Sequence, residues 1–284
     1  MLNVVYLKGC NVVIYRLQFY KRKTQHIVII IMSDKIVDDV SPSVQRPIPS
    51  STDVTPLWGV WELWAGGGAA PISVVGTSPT SSSSTKAPPT SWLDGVKSLA
   101  VMDTVEGMWG VLGCLAPPSQ LHAVASGASY FLFRLNVAPL WEHEANRRGG
   151  KWVVSIPLNR EGGATNNAGD AIWEKLSAAL CSEWFASSVD VGPDSKKKVE
   201  IEICGSSVAL RGATEMRISL WTRSAADEAV QRGIGSKFLE LCRECMEKAG
   251  STPDVLKGDG TTSAVYIQHR PNTTGNGSRV LYTL

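Results

Sequence analysis

Residues 139–152 read PLWEHEANRRGGKW, and this peptide decides how the rest of the chain is read. It sets a tryptophan directly before a carboxylate, Trp141 and Glu142. It then passes through a polar turn of Arg147, Arg148, Gly149 and Gly150 and re-enters an apolar strand at Trp152. An indole face stacks on any base, whereas a carboxylate accepts only from an edge that offers donors, and guanine offers its N1–H and 2-amino group. Glu142 is therefore the discriminating residue of the pair. If the purine is positively charged, as a 7-methylated guanine is, the indole gains a cation–π attraction of about 1–2 kcal/mol once water is excluded. The same dipeptide on an ordinary strand is one core residue beside one solvated residue, so the peptide alone leaves both readings open.

With DTVEGMW (103–109) upstream and ISLWTR (218–223) downstream in matching order, the peptide resembles the cap-binding family of eukaryotic translation initiation factor 4E. The resemblance runs from Thr55 to the C-terminus, and its central motif is long and specific. It implies a cap sandwich in which Trp92 and Trp141 clamp the methylated base while Glu142 reads the guanine edge. Arg211 and Arg217 would then hold the phosphates, for which arginine's planar fork is suited, and Trp221 would touch the N7-methyl group. It also implies a dorsal protein-binding surface on which Pro56, Val105 and Trp109 receive a partner helix, in the helix-in-groove mode. The partner would be a 4G-like scaffold or a 4E-binding repressor. The second helix departs from the family pattern there, with Glu174 in place of a leucine and Ala178 in place of a larger aliphatic.

Outward from the motif, WGVWELW (58–64) reads as a first strand with Trp61 and Trp64 on opposite faces, and the family uses a similar pair structurally. Residues 65–91, rich in Gly, Ala, Pro and Ser, cannot bury enough apolar area to offset chain entropy and read as a flexible insertion ending at Trp92. The family's loop is usually shorter. A strand is expected over 95–101, then a helix over 103–115 started by Asp103 with Glu106 and stopped by Pro117-Pro118. Strands follow at 130–135 and 151–157. A second helix, capped by Asp170, turns Ile172, Trp173, Leu176, Ala179 and Leu180 inward. Lys196 to Lys198 read as a solvated turn before strands at 199–210 and 216–222. The third helix, 226–249, directs Ala229, Val230, Ile234, Phe238, Leu241, Cys242 and Cys245 to the core, and strands at 263–268 and 279–283 bracket the loop RPNTTGNGS. This order predicts an α+β domain: a curved antiparallel sheet backed by three helices, its concave face open to ligand.

Residues 55–284 form the expected cap-binding domain, and residues 1–54 an extension without a fixed fold. The apolar run Ile27–Met32 is too short to span a bilayer, and no signal-peptide pattern is present. Residues 1–31 read equally as a translated upstream segment, with Met32 opening the polar leader, or as a basic membrane-surface tail. They carry five basic residues and no acid, which leaves 23 basic against 26 acidic residues beyond them, a net −3. A body of that charge suits a short charged ligand better than non-specific tracking along nucleic acid. The six cysteines make no disulfide framework, and the Cys242–Cys245 pair lies inside a helical pattern without a second pair or a nearby histidine, so buried reduced thiols are expected.

The expectation is a cytoplasmic binder of capped mRNA, with the nucleus as a second compartment. No metal, organic cofactor, catalytic step or membrane contact is implied. One rival is a protein-binding adaptor of the same fold. The other is a carbohydrate cleft using Glu142 and Glu144 as acid and base, for which two carboxylates on one strand face would leave little room for a sugar.

Overall fold

The structure, a computed structural model, describes residues 2–7, 12–17, 26–31, 54–66, 95–123, 128–212, 214–258, 263–269 and 279–284. The chain divides into two units. The first comprises residues 1–56, 73–85 and 103–116, and the second comprises 57–72, 86–102 and 117–284.

In the first unit, β1 (Leu2–Leu7), β2 (Val12–Leu17) and β3 (His26–Ile31) pair as an antiparallel sheet within the segment assigned above to an extension. The unit also holds α1 (Val105–Leu112). Its N-cap is Thr104, whose Oγ1 accepts from the Gly107 amide at 3.2 Å, and not Asp103 as predicted. Glu106 is occupied differently from a capping box: its Oε2 accepts from the Thr55 amide at 3.0 Å. The helix ends a turn before Leu115, where Gly113 caps it through its amide.

In the second unit, β4 (Pro56–Gly66), β5 (Val96–Thr104), β6 (Ser129–Arg134), β7 (Gly150–Pro157), β8 (Ile203–Arg211), β9 (Glu215–Thr222), β10 (Val265–Gln268) and β11 (Arg279–Thr283) form one curved sheet. Its order is β11-β10-β7-β9-β8-β6-β4-β5. By contact, Pro56 of β4 and Asp103 and Thr104 of β5 belong to the first unit. Because side chains alternate along a strand, directly paired residues share a face. The row Leu63–Leu132–Ser206–Leu220–Trp152–Tyr266 crosses six strands with every member fully buried. The adjacent row, Glu62–Phe133–Gly205–Trp221–Lys151–Ile267, occupies the other face.

The first face is covered by α2 (Ala164–Cys181) and α5 (Glu228–Lys248), joined by the short α3 (Trp184–Ser188) and α4 (Ser195–Glu202). Trp152 donates its indole N–H to the Gln231 carbonyl of α5 at 3.0 Å. The predicted inward residues of the second and third helices are buried except Ala229, which is exposed. Two boundaries differ from expectation. α2 starts at Ala164 because Asn159 and Asn166 bond reciprocally, each backbone-to-side-chain contact at 2.9 Å, and hold the glycine-rich stretch in a helical entry. Asp170 thus lies within α2, where its carboxylate accepts from the Ser119 amide and hydroxyl at 2.7 and 2.6 Å. Lys196 to Lys198 belong to α4, not to a turn, since Val199 is buried beneath them and Lys196 pairs with Glu183 at 2.6 Å. No helix among the described residues is long and apolar enough to cross a membrane.

Candidate functional site

The peptide that opened the sequence analysis is a compact loop between β6 and β7. Asn146 organises it: fully buried, its side-chain NH2 donates to the carbonyls of Ala138 and Leu140 at 2.9 and 2.7 Å. Those two carbonyls flank the approach to Trp141. Backbone turns from His143 to Leu140, from Asn146 and Arg147 to His143, and from Gly149 to Asn146 close the rest of the loop at 2.8–3.2 Å. The glycine pair is obligatory for a steric reason: a Cβ on Gly149 would stand 1.8 Å from the Thr222 carbonyl, and one on Gly150 2.4 Å from the Ile267 carbonyl. Only a bare backbone can enter the sheet so closely.

This loop presents Trp141 40% exposed and Glu142 exposed beside it, an arrangement no core duty explains. Glu142 and Glu144 lie in a turn and not on a strand face, which removes the geometry from which the carbohydrate reading was weighed. The loop packs onto the open sheet face, because Val137 and Ala145 join Val96, Phe131, Phe133, Cys204 and Trp221 in one cluster with Trp64 against it.

Trp221 forms the floor of that face. It is buried, donates its indole N–H to Ser207 Oγ at 3.0 Å, and meets Phe133 edge-on at a centroid distance of 5.3 Å. Lys151, opposite it in register, holds its ammonium 4.9 Å from the indole centroid. Burial first, and then the nearby Arg211 and Arg217, bring the Lys151 amine down to about 8. Arg217 precedes Trp221 by four residues on the same strand face, about 13 Å away at some 3.3 Å per residue, and Arg211 ends the neighbouring strand opposite Glu215. Arg217 is not wholly free, since its guanidinium bonds Glu215 at 2.9 Å, but both groups are partly exposed and such pairs are weak.

Arg211, Arg217 and Trp221 therefore share one face with the Trp141–Glu142 loop at its Trp221 end. Trp92 and most of the 65–91 insertion lie outside the described residues, as does the loop 270–278. Lys151 opens the predicted strand 151–157 but was not singled out as a site residue in the sequence; only strand pairing aligns it with Trp221. Among the described residues no group of His, Cys, Asp or Glu could hold a metal. Cys242 is free and fully buried, which drives its thiol well above the ordinary value.

In the first unit, the Val105 amide donates to the Thr55 carbonyl at 2.8 Å, which fixes Pro56 beside the first turn of α1. Trp109, one turn beyond Val105, is 43% exposed. On α2, Glu174 is exposed and Ala178 half-buried.

A curved antiparallel sheet with helices behind it and aromatic and cationic groups on its open face defines an α+β domain. The chain belongs to the eukaryotic initiation factor 4E family, whose pattern its residues 56–250 match. It is similar to eukaryotic translation initiation factor 4E1 of Drosophila melanogaster, with 29% identity over 68% of this chain and 62% of that protein. Similarity to the Dictyostelium discoideum factor 4E is 31%, over 66% of this chain and 60% of that one. The chain thus spans about three fifths of these relatives' length. Ascaris suum eIF4E-3, solved with an m2,2,7G cap, shares the fold at a TM-score of 0.54 and 22% identity, over 82% of this chain and 99% of that chain.

Proposed function

We propose that this protein binds the 7-methylguanosine cap of mRNA without a catalytic step, and so recruits the message to translation initiation or holds it back. The observation that carries the reading is Trp141 and Glu142 standing exposed on a loop whose own backbone is tied down by a buried asparagine. An exposed aromatic on a rigid support loses little entropy when a base stacks on it.

In this reading the methylated base lies between Trp141 and Trp92, and Glu142 accepts from guanine N1–H and the 2-amino group. Trp221 faces the N7-methyl edge. The phosphates run along β9 toward Arg217 and Arg211, with Lys151 between base and phosphates. Two cations, Arg217 and Arg211, on the strand face beyond the indole, with Lys151 beside the indole, support that direction. In this reading the protein works in the cytoplasm, with the nucleus as a second compartment.

A scaffold or repressor helix is proposed to dock on Pro56, Val105 and Trp109.

The test is retention on immobilised 7-methyl-GTP and release by free 7-methyl-GTP but not by GTP. Flow-through of folded protein would leave the adaptor reading in its place.

A further inference from the structure

The residue after β10, His269, touches both the loop that carries Trp141 and the indole that floors the open face. Its backbone amide donates to the Gly149 carbonyl at 2.9 Å, at the point where the loop re-enters the sheet. Its ring Nδ1 stands 3.0 Å from the Asn146 carbonyl. A carbonyl can only accept, so Nδ1 carries the proton and the tautomer is assigned by that bond. The same ring lies 4.5 Å from Trp221, tilted by 51°. Its acceptor belongs to the residue whose side chain holds Ala138 and Leu140. Contacts therefore run without a break from Trp221 through His269 and Asn146 to Leu140, the neighbour of Trp141.

We infer that His269 is a positioning residue that sets the height and tilt of the Trp141–Glu142 loop against the Trp221 floor. The inference rests on the cap-binding reading for its consequence but not for its geometry. A buried histidine that filled space alone would need a ring of this size and no particular donor. Here the donor is specific: it lies at the δ position and meets a main-chain carbonyl inside the loop. Burial opposes protonation more strongly than the Asn146 carbonyl favours it, and nearby Lys151 adds to the opposition, which brings the ring down to about 4. The neutral Nδ1–H form thus persists through the physiological range. Depth and tilt matter for ligand choice because stacking and the methyl contact must be met together by one rigid base.

Asparagine places an amide N–H at the δ position, where histidine has Nδ1, whereas glutamine places it one atom further out. His269→Asn and His269→Gln are therefore a matched polar pair that differs in reach alone. Two readouts are taken on the full chain. In the ligand-free protein, hydrogen exchange at the His143, Asn146 and Arg147 amides should stay near wild type in the asparagine variant and quicken about tenfold in the glutamine variant. With 7-methyl-GTP and GTP as probes, the glutamine variant should lose about tenfold in affinity for the methylated nucleotide and part of its preference over GTP, and the asparagine variant should keep both. Equal behaviour of the two folded variants in exchange and in methyl preference overturns the inference. If wild type itself fails to bind 7-methyl-GTP, the cap reading falls, and the exchange comparison still decides whether His269 positions the loop.

Discussion

At the residue scale, two side chains on the open face are neutral more readily than their types allow, and each predicts a pH dependence. Lys151 titrates near 8 because burial and the two arginines disfavour its charge. A triphosphate bound beside it restores the charged form, so binding takes up a proton once the free amine has begun to deprotonate. Affinity for 7-methyl-GTP should consequently fall as pH rises above about 8, by at most about tenfold per unit, and Lys151→Arg should flatten the profile. Titration by fluorescence quenching from pH 7 to 10 checks it. His269 has the opposite consequence for folding. Its native value of about 4 lies below the ordinary 6.5, so the unfolded chain binds the proton first. Stability attributable to this ring is therefore full above pH 6.5 and is lost as pH falls toward 4, by on the order of 3 kcal/mol in all. Urea melts at pH 7 and 4.5 should show that loss in wild type, and a smaller one in His269→Asn.

At the element scale, the loop between β6 and β7 stands or falls with Asn146. Asn146→Ala takes one of two donors from each of the Ala138 and Leu140 carbonyls, leaving them only the Leu140 and His143 amides, a cost of about 1 kcal/mol per lost bond, and frees Trp141 to move. We expect a lower melting temperature together with a loss of 7-methyl-GTP affinity larger than in variants of equal stability elsewhere. Gly235→Ala supplies that control. A Cβ there would lie 2.3 Å from the Trp152 ring, so α5 must shift, at about 1–3 kcal/mol, on the face of the sheet away from the site. The sequence made the strands of the second unit and the apolar faces of α2 and α5 legible, since alternation and helical spacing are local signals, but not β1–β3. It did not show that α2 begins at Ala164 or that Lys196–Lys198 are helical. Those boundaries come from the Asn159–Asn166 reciprocal bonds and from the burial of Val199, which are tertiary choices that override glycine content and charge. Trp141 and Glu142 were singled out by the resemblance of the whole peptide 139–152 to the family motif, while Lys151, Asn146 and His269 were not, because cross-strand register and loop closure alone bring them together.

At the scale of the whole molecule, the proposed base and phosphate contacts would rest on different physics. Stacking in a desolvated slot is little affected by ions, whereas phosphates held by the partly exposed Arg211 and Arg217 would be screened within about 8–10 Å at ordinary ionic strength. Arg211→Ala with Arg217→Ala should flatten the preference for 7-methyl-GTP over 7-methyl-GMP and reduce the salt dependence of binding, while Trp141→Ala should leave that dependence intact. Binding titrations at two salt concentrations separate the classes. If the double variant kept the full triphosphate preference, the phosphates would have to be held elsewhere than on β8 and β9.

The central claim is that Glu142 reads the guanine edge from a loop whose fold does not depend on that carboxylate. The most direct measurement is the affinity of Glu142→Ala for 7-methyl-GTP, by tryptophan fluorescence quenching, alongside its melting temperature. Losing a charged acceptor leaves two guanine donors unpaired, so the account predicts an affinity loss of tenfold or greater, in keeping with about 1–3 kcal/mol, and a melting temperature within a degree or two of wild type because Glu142 is exposed. Wild-type affinity in the folded Glu142→Ala protein would contradict it.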